Sequence, residues 1–230
     1  MKFAVIGLGY FGSALVRELA ESGHEVIAID TDPAHLKEVQ DLAALAAEAD
    51  GTDIEALSQL GVGEVDTAIV AIGEGFEASL MITAHCQTLG VKRVHTRVIN
   101  EVHSHLLGLM KVTGLIRAER MAAAYFARQL TSEAVHRYFG LDAEHGIVEL
   151  DIPAEFIGKR LAETGLRAKF GLNVVTVRRS NPKEFALEQP EESASILGTP
   201  GPDTEIREGD RLIVFGKVKD IERFCEKSNP

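Results

Sequence analysis

Apolar and polar positions change rhythm partway along the chain. In the first half, short apolar runs ("KFAVIG", "EVIAID", "VDTAIVAIG", "KRVHTRVIN") alternate with stretches whose apolar residues recur at helical spacing. Runs of this kind, β-branched and closed by glycine or an acid, predict strands buried on both faces. Phe11, Leu15 and Leu19 lie four apart, which predicts a helix that Gly23 closes. "DPAHLKEVQ" opens another helix, with Asp32 as its cap and Pro33 at the first helical position. "LIRAE" is a last short strand. Strands alternating with helices predict an α/β fold, a Rossmann-like parallel sheet covered on both faces. One segment conflicts with this order: "DLAALAAEAD" has the propensity of a helix, while the alternation needs a strand near Leu45–Ala49. Topology decides for the strand.

From Arg120 to Tyr138 the pattern is helical and unusually apolar, and Gly140 ends it. Beyond it "GIVELDIP", "LNVVTVRR" and "DRLIVFG" predict strands, with helices over "GKRLAETGLRAKFG" and "VKDIERFCEK". The segment from Ser180 to Ile206 is rich in Pro, Ser and Glu and reads mostly as loop. The resulting division is a Rossmann domain over residues 1–119, a connector or crossover helix over 120–139 and a small α+β domain over 140–230.

Composition narrows the functional classes. A chain of 230 residues with a formal net charge of −11 repels phosphate backbones and anionic lipid surfaces, so no nucleic-acid partner is expected. No apolar run reaches membrane-spanning length, so direct membrane insertion is not expected, and the short run after Lys2 is not a signal peptide. Cys86 and Cys225 stand far apart without a partner motif and read as reduced thiols of a cytoplasmic protein.

The strongest motif is the turn Gly7-Leu8-Gly9-Tyr10-Phe11-Gly12 between the first strand and the first helix, followed by Asp30 at the end of the second strand. Gly7 permits the tight turn, Gly9 lets the backbone approach a diphosphate, and Gly12 lets helix and strand pack closely. The helix start offers free N–H groups and a positive dipole end to phosphate. Asp30 accepts hydrogen bonds from ribose hydroxyls and opposes a 2′-phosphate. ATP, ADP and NAD(H) all fit such a cradle. The turn itself carries no positive charge; Arg97, Arg117 and Arg17 are the nearest basic residues in the topology, with Arg17 read as a surface arginine. His95, His103 and His105 read as surface histidines, because residues two apart on a helix do not share a face. Glu119 closes the last predicted strand, where strand ends face the ligand crevice. No acid/base set, nucleophile elbow or P-loop accompanies the cradle, so the chain reads as a binding protein rather than an enzyme, with no catalytic residue assigned.

Read together, the glycine turn, "AID", "ADGTD", "AIVAIGEGFEASLMITAHCQTLGVKRV" and "REGDRLIVFGKVKDIERF" resemble the RCK (regulator of potassium conductance) subunits of Trk/Ktr-type potassium uptake systems, over about residues 2–226. One nucleotide-binding lobe and one C-lobe match the Ktr type. The resemblance implies a cytoplasmic, nucleotide-binding regulatory subunit on the inner face of the cell membrane. It implies a homodimer that builds an octameric ring beneath a membrane-embedded potassium transporter subunit. ATP, ADP or NAD(H) would bias a two-state gate through differential affinity, with no bond broken. The alternatives are an RCK regulator of another cation transporter, such as a cation/proton antiporter, and a small NAD-dependent oxidoreductase.

Carried over by position, Gly7, Gly9, Tyr10, Phe11 and Gly12 form the phosphate turn, and Asp30 with Thr31 takes the ribose. Asp50, Gly51 and Thr52 match the family's "GDAT" element beside the adenine, with Ala49 in place of its first glycine. Ile72, Gly73, Phe76 and Glu77 form the loop after the fourth strand, and Arg97 faces the phosphates. Glu119 matches the glutamate of the family's "HPE" element, which implies a divalent cation near the phosphates; here the element reads "RAE". Some relatives bind cyclic di-AMP in the C-lobe, the region of "LRAKFGLNVVTVRR" here. Tyr10 is the main departure, since Ktr-type proteins often carry arginine there. Its loss removes a charge-assisted contact of about 1.5–3 kcal/mol and leaves the choice among ATP, ADP and NAD(H) open.

Overall fold

The computed structural model describes residues 1–131, 135–142, 144–180 and 194–228. The chain divides into two compact units, Met1–Met121 and Ala122–Pro230.

The first unit runs β1 (Lys2–Ile6), α1 (Tyr10–Glu21), β2 (Glu25–Asp30), α2 (Pro33–Lys37), β3 (Leu45–Glu48), α3 (Ile54–Gln59), β4 (Thr67–Val70), α4 (Phe76–Thr88), β5 (Val94–Arg97), α5 (Glu101–Leu109) and β6 (Gly114–Ile116). Its strands pair in parallel in the order β3-β2-β1-β4-β5-β6. Alternate residues of each strand feed opposite cores. Ala4 and Ile6 pack with Leu57, Ile82 and Cys86 on one side, while Val5 packs with Leu8, Val16 and Val39 on the other. Being buried on both faces is what made these strands read as unbroken apolar runs. The alanine-rich segment is indeed the strand β3, with Ala46 and Ala47 paired to Ala28 and Ile29. Its small side chains suit a half-buried edge, and β2 supplies the hydrogen bonds that override helix propensity. Because β1 lies between β2 and β4, the connections leave it in opposite directions, and a crevice opens at the carboxyl ends of these strands.

A further helix, α6 (Ala118–Thr131), contains the boundary between the units. The helical pattern expected to reach Tyr138 stops earlier, and Val135–Gly140 is a strand, β7. The misreading has a plain cause: "VHRYFG" carries a β-branched residue and two aromatics, and its strand character shows only once β8 (His145–Asp151) is present to pair with it, with a register shift between Val135 and Arg137. The second unit continues through α7 (Leu161–Thr164), α8 (Leu166–Phe170), β9 (Asn173–Ser180), β10 (Ala194–Ile196), β11 (Asp210–Lys217) and α9 (Val218–Ser228). Its sheet is antiparallel, in the order β10-β9-β11-β8-β7. One face packs Val148, Leu150, Val177, Leu212 and Val214 against Leu166, Phe170, Ile221 and Phe224. The single helix expected over residues 158–171 is two, because Gly165 adopts a left-handed φ of 67° between them. Part of the expected loop between Ser180 and Ile206 forms β10, and residues 181–193 of it lie outside the described residues.

Candidate functional site

The crevice of the first unit is a cleft of about 820 Å³ at the strand ends. Its floor is the glycine turn. Gly7 has φ 93°, and a Cβ there would stand 2.9 Å from Ile72 Cγ1. A Cβ on Gly12 would stand 1.9 Å from the Gly7 carbonyl oxygen, so only glycine lets α1 approach β1 this closely. A Cβ on Gly9 would meet no protein atom within 4 Å. Its bareness therefore serves nothing inside the protein and leaves the backbone open to the cleft. Gly9 caps α1 without a side-chain hydrogen bond, so the first-turn N–H groups face the cleft uncapped.

Asp30 ties this turn to β2. Its Oδ2 accepts from the Leu8 N–H at 2.5 Å, its Oδ1 accepts from the Asp32 N–H at 2.8 Å, and His35 Nδ1 lies 3.4 Å from Oδ1. Burial pushes the Asp30 carboxyl up, but the Asp32 and Leu8 N–H groups and His35 together outweigh it, and the group sits below its ordinary value. Asp30 is therefore an anion at neutral pH with lone pairs left for ribose hydroxyls.

Asp50 shapes the next wall, its Oδ1 accepting from the Thr52 N–H at 2.9 Å and the Thr52 hydroxyl at 2.7 Å. Gly51 is needed for space, since a Cβ would stand 2.9 Å from Ile82 Cδ1 and 3.0 Å from Ile6 Cγ2. Opposite the glycine turn, Arg97 crosses above the Phe11 ring, its Cζ 5.7 Å from the centroid. A Cβ on Gly73 would stand 2.6 Å from Arg97 Nη1, so that glycine makes room for the guanidinium. Arg97 Nη2 donates to Glu119 Oε1. Arg97 holds the Glu119 carboxyl below its ordinary value, with help from its own backbone N–H.

The structure brings Gly7, Gly9, Tyr10, Phe11, Asp30, Thr31, Asp50, Gly51, Thr52, Ile72, Gly73, Arg97 and Glu119 together around this one cleft. Gly12, Phe76 and Glu77 do not line it: Gly12 packs against Gly7 and Ala71, Glu77 is exposed, and the Phe76 ring sits 5.2 Å from the ring of His103. Tyr10 lines the cleft with its side chain fully exposed. Arg17 is exposed as expected, and Arg117 donates to Ser104 Oγ at 2.7 Å rather than reaching the cleft. His103 corrects the surface reading, being wholly buried with Nδ1 accepting from the Ile99 N–H at 3.1 Å. Sequence reasoning missed His35 and Glu74 as lining residues. For His35 a signal existed: Asp32–Pro33 starts α2 directly after Asp30, which fixes the first turn beside that carboxylate. Among the described residues no group of three His, Cys, Asp or Glu side chains could hold a metal ion; Glu119 instead holds Arg97. No helix among them is long and apolar enough to cross a membrane.

Comparison with known proteins bears on this arrangement. The TrkA-N domain model matches residues 3–118. The Ktr system potassium uptake protein C of Bacillus subtilis (strain 168) is 34% identical over 223 residues, covering 97% of this chain and 95% of that one. The Ktr system potassium uptake protein A of the same organism is 30% identical with the same coverage. Among solved structures, the GsuK RCK domain superposes over 100% of this chain and 48% of its own, with a TM-score of 0.63 at 17% identity. The GsuK channel bound to NAD superposes over 95% of this chain and 38% of its own, with a TM-score of 0.59 at 18% identity. The chain thus spans less than half the length of those two structures, and they establish its fold.

Proposed function

The chain belongs to the TrkA-N family and is homologous along nearly its whole length to Ktr system potassium uptake proteins, and we propose that it is the nucleotide-sensing regulatory subunit of a potassium uptake system. The observation that carries this reading is the Asp30 anchor: one carboxylate fixes the glycine turn through Leu8 and faces the cleft beside it. The adenosine of ATP, ADP or NAD(H) occupies the end near Asp30, Asp50 and Thr52, with its phosphates over the α1 N-terminus and under Arg97. The ligand acts by binding one conformation of the chain better than another, without turnover. The subunit works on the cytoplasmic face, as a homodimer within an octameric ring, against a membrane-embedded potassium transporter subunit. A divalent cation at Glu119 and cyclic di-AMP on the second unit belong to the same reading as further ligands. Homology over the full length of the Ktr proteins, rather than over the TrkA-N portion alone, is what supports a two-lobed regulator.

The test is titration of the nucleotide-stripped protein by calorimetry with ATP, ADP, AMP, NAD and NADH, with and without Mg²⁺. Binding tighter than millimolar by at least one of them, lost in Asp30→Ala, is the expected result. No binding, or binding indifferent to Asp30→Ala, overturns the site. Mass measurement in solution should show dimers or larger rings, and a persistent monomer would sink the assembly.

A further inference from the structure

His35 is the loosest contact of the Asp30 carboxylate. A carboxylate offers two acceptor positions on each oxygen, about four in all. Two of those on Asp30 are taken from within the chain, on Oδ2 by the Leu8 N–H at 2.5 Å and on Oδ1 by the Asp32 N–H at 2.8 Å. His35 Nδ1 stands farther off, 3.4 Å from the same Oδ1, and its ring lines the nucleotide cleft together with Asp30. Local sequence fixes this placement. Asp32 caps α2 by accepting from the Ala34 N–H, Pro33 takes the first helical position, and the first turn returns the imidazole to the end of β2. The Asp30 side chain is 12% exposed and that of His35 41%, so the ring is the outer member of the pair.

The chemistry of this contact depends on a proton. Two lone pairs facing each other repel, so Nδ1 beside Oδ1 is favourable only when it carries hydrogen, and most favourable as imidazolium. Among the described residues Asp30 is the only carboxylate within 4 Å of the ring. The remaining charged groups around it are Asp32, Lys37 and Glu38 on α2 and its flanks, Glu48 across from Asp30 on β3, and Asp50, Glu74, Arg97 and Glu119 on the cleft. Of these, Asp50 is engaged with Thr52, and Arg97 with Glu119. The Asp30 carboxyl sits below its ordinary value, so it stays ionised across the range in which an imidazole changes charge. A ribose diol that donates one hydroxyl to each carboxylate oxygen meets a rival on Oδ1. That oxygen has two positions and three claimants, and the 3.4 Å contact is the weakest of them.

We propose that His35 sets the affinity of the ribose site: as imidazolium it holds Asp30 Oδ1 against the ligand's hydroxyl, and the nucleotide enters by expelling that proton to solvent. The inference rests on the reading of Asp30 as ribose anchor. Its consequence is that occupancy of the cleft falls as the surroundings acidify. The test is calorimetric titration of the full-length protein with ADP in chelator, at pH 8.0 and pH 5.5, for wild type and His35→Asn. Asn keeps an N–H donor beside Oδ1 and does not titrate. The terminal phosphate of ADP changes charge near pH 6 in both experiments, so its effect cancels in the ratio of the two affinities. The two proteins are expected to agree within about two-fold at pH 8.0, and the variant to bind about three-fold tighter at pH 5.5. At pH 6.5 the binding enthalpy of wild type should depend more steeply on the ionisation enthalpy of the buffer, which counts the expelled proton. Melting temperatures at both pH values show that each protein is folded. Binding that needs Asp30 but gives the same ratio at both pH values overturns the role of His35 and leaves the ribose site standing. Binding that is absent, or indifferent to Asp30→Ala, overturns the ribose anchor and His35 with it.

Discussion

Glu119→Gln separates two roles that one carboxylate could play in the nucleotide cleft. In the ligand-free chain Glu119 is the counter-ion of Arg97, the basic residue that lines the cleft beside the glycine turn. A phosphate arriving over the α1 N-terminus must share that guanidinium with the carboxylate or displace it. The Glu119 side chain is 64% exposed, so the pair has the modest worth of a solvated one, about 0.2–1 kcal/mol. Gln keeps the shape and loses the charge. Without Mg²⁺, ADP and ATP are therefore expected to bind about 1.5- to 5-fold tighter to Glu119→Gln than to wild type, which is that energy expressed as an equilibrium constant. The gain shrinks as salt is raised, because the pair is screened.

Calorimetry in chelator at two salt concentrations reads this directly, with thermal melting to show that the variant is folded. If Glu119 also holds a cation against the phosphates, the sign reverses once Mg²⁺ is added, and the variant becomes the weaker binder. The pH dependence has a fixed direction as well. Glu119 has a carboxyl held below its ordinary value of 4.5, so the pair persists at neutral pH and is lost only as pH falls through that depressed value. Between pH 7 and 8 this pair adds no slope to binding. Equal or weaker chelator-phase affinity in a folded Glu119→Gln would refute the competition for Arg97.

Three further expectations follow from buried groups. Gly12→Ala places a Cβ 1.9 Å from the Gly7 carbonyl oxygen and should cost about 3 kcal/mol in urea unfolding, whereas Gly9→Ala, with no protein atom within 4 Å, should leave stability unchanged and impair nucleotide binding; equal stability losses would contradict the packing account. Burial holds the His103 imidazole below its ordinary 6.5, so the unfolded chain takes up the proton first and stability drops as pH falls through 6.5 toward the depressed value; urea midpoints from pH 7.5 to 5.5 should fall less steeply in His103→Leu, and an identical slope would remove His103 from the account. Burial pushes the Cys86 thiol up to about 12, so at pH 8 iodoacetamide should leave it unmodified in the folded protein and alkylate it in urea; peptide mass spectrometry after native labelling checks this.

How much of this was legible in the sequence depended on whether the decisive contacts were local. The strand-turn-helix around Gly7 to Gly12 and the acid at Asp30 announce themselves because both ends of each contact fall within one βαβ unit. Glycine reads as space or as φ, and Gly7 and Gly12 carry both meanings within six residues. His103 was misread because its burial depends on Phe76, on a different helix, and on the Ile99 N–H in the preceding loop. A helical wheel over α5 alone sees only alternating exposure. Val135–Gly140 was misread for the same reason: its strand character appears only opposite β8. The ion pairs of Arg137, Arg178 and Arg211 with Glu149 were invisible for the strongest version of that cause, since the four residues come from four different strands.

Tyr10 can now be weighed against the cleft around it. At that position an arginine would lend the first turn of α1 a charge, and Tyr10 instead is fully exposed at the mouth. Yet the cleft is not without a cation, because Arg97 reaches from the end of β5 across the Phe11 ring to the neighbourhood of the same turn. The two arrangements differ in freedom. An exposed arginine on a helix start must be ordered by each ligand it binds, at a cost in rotamer entropy. Arg97 is confined beforehand between the Phe11 ring, the bare backbone of Gly73 and Glu119. Arg97 thus supplies a preorganised charge opposite the glycine turn, and the carboxylate of Glu119 compensates it. On the proposed binding mode, selectivity among nucleotides is expected to rest on how well each ligand's phosphates compete with Glu119 for Arg97 rather than on Tyr10.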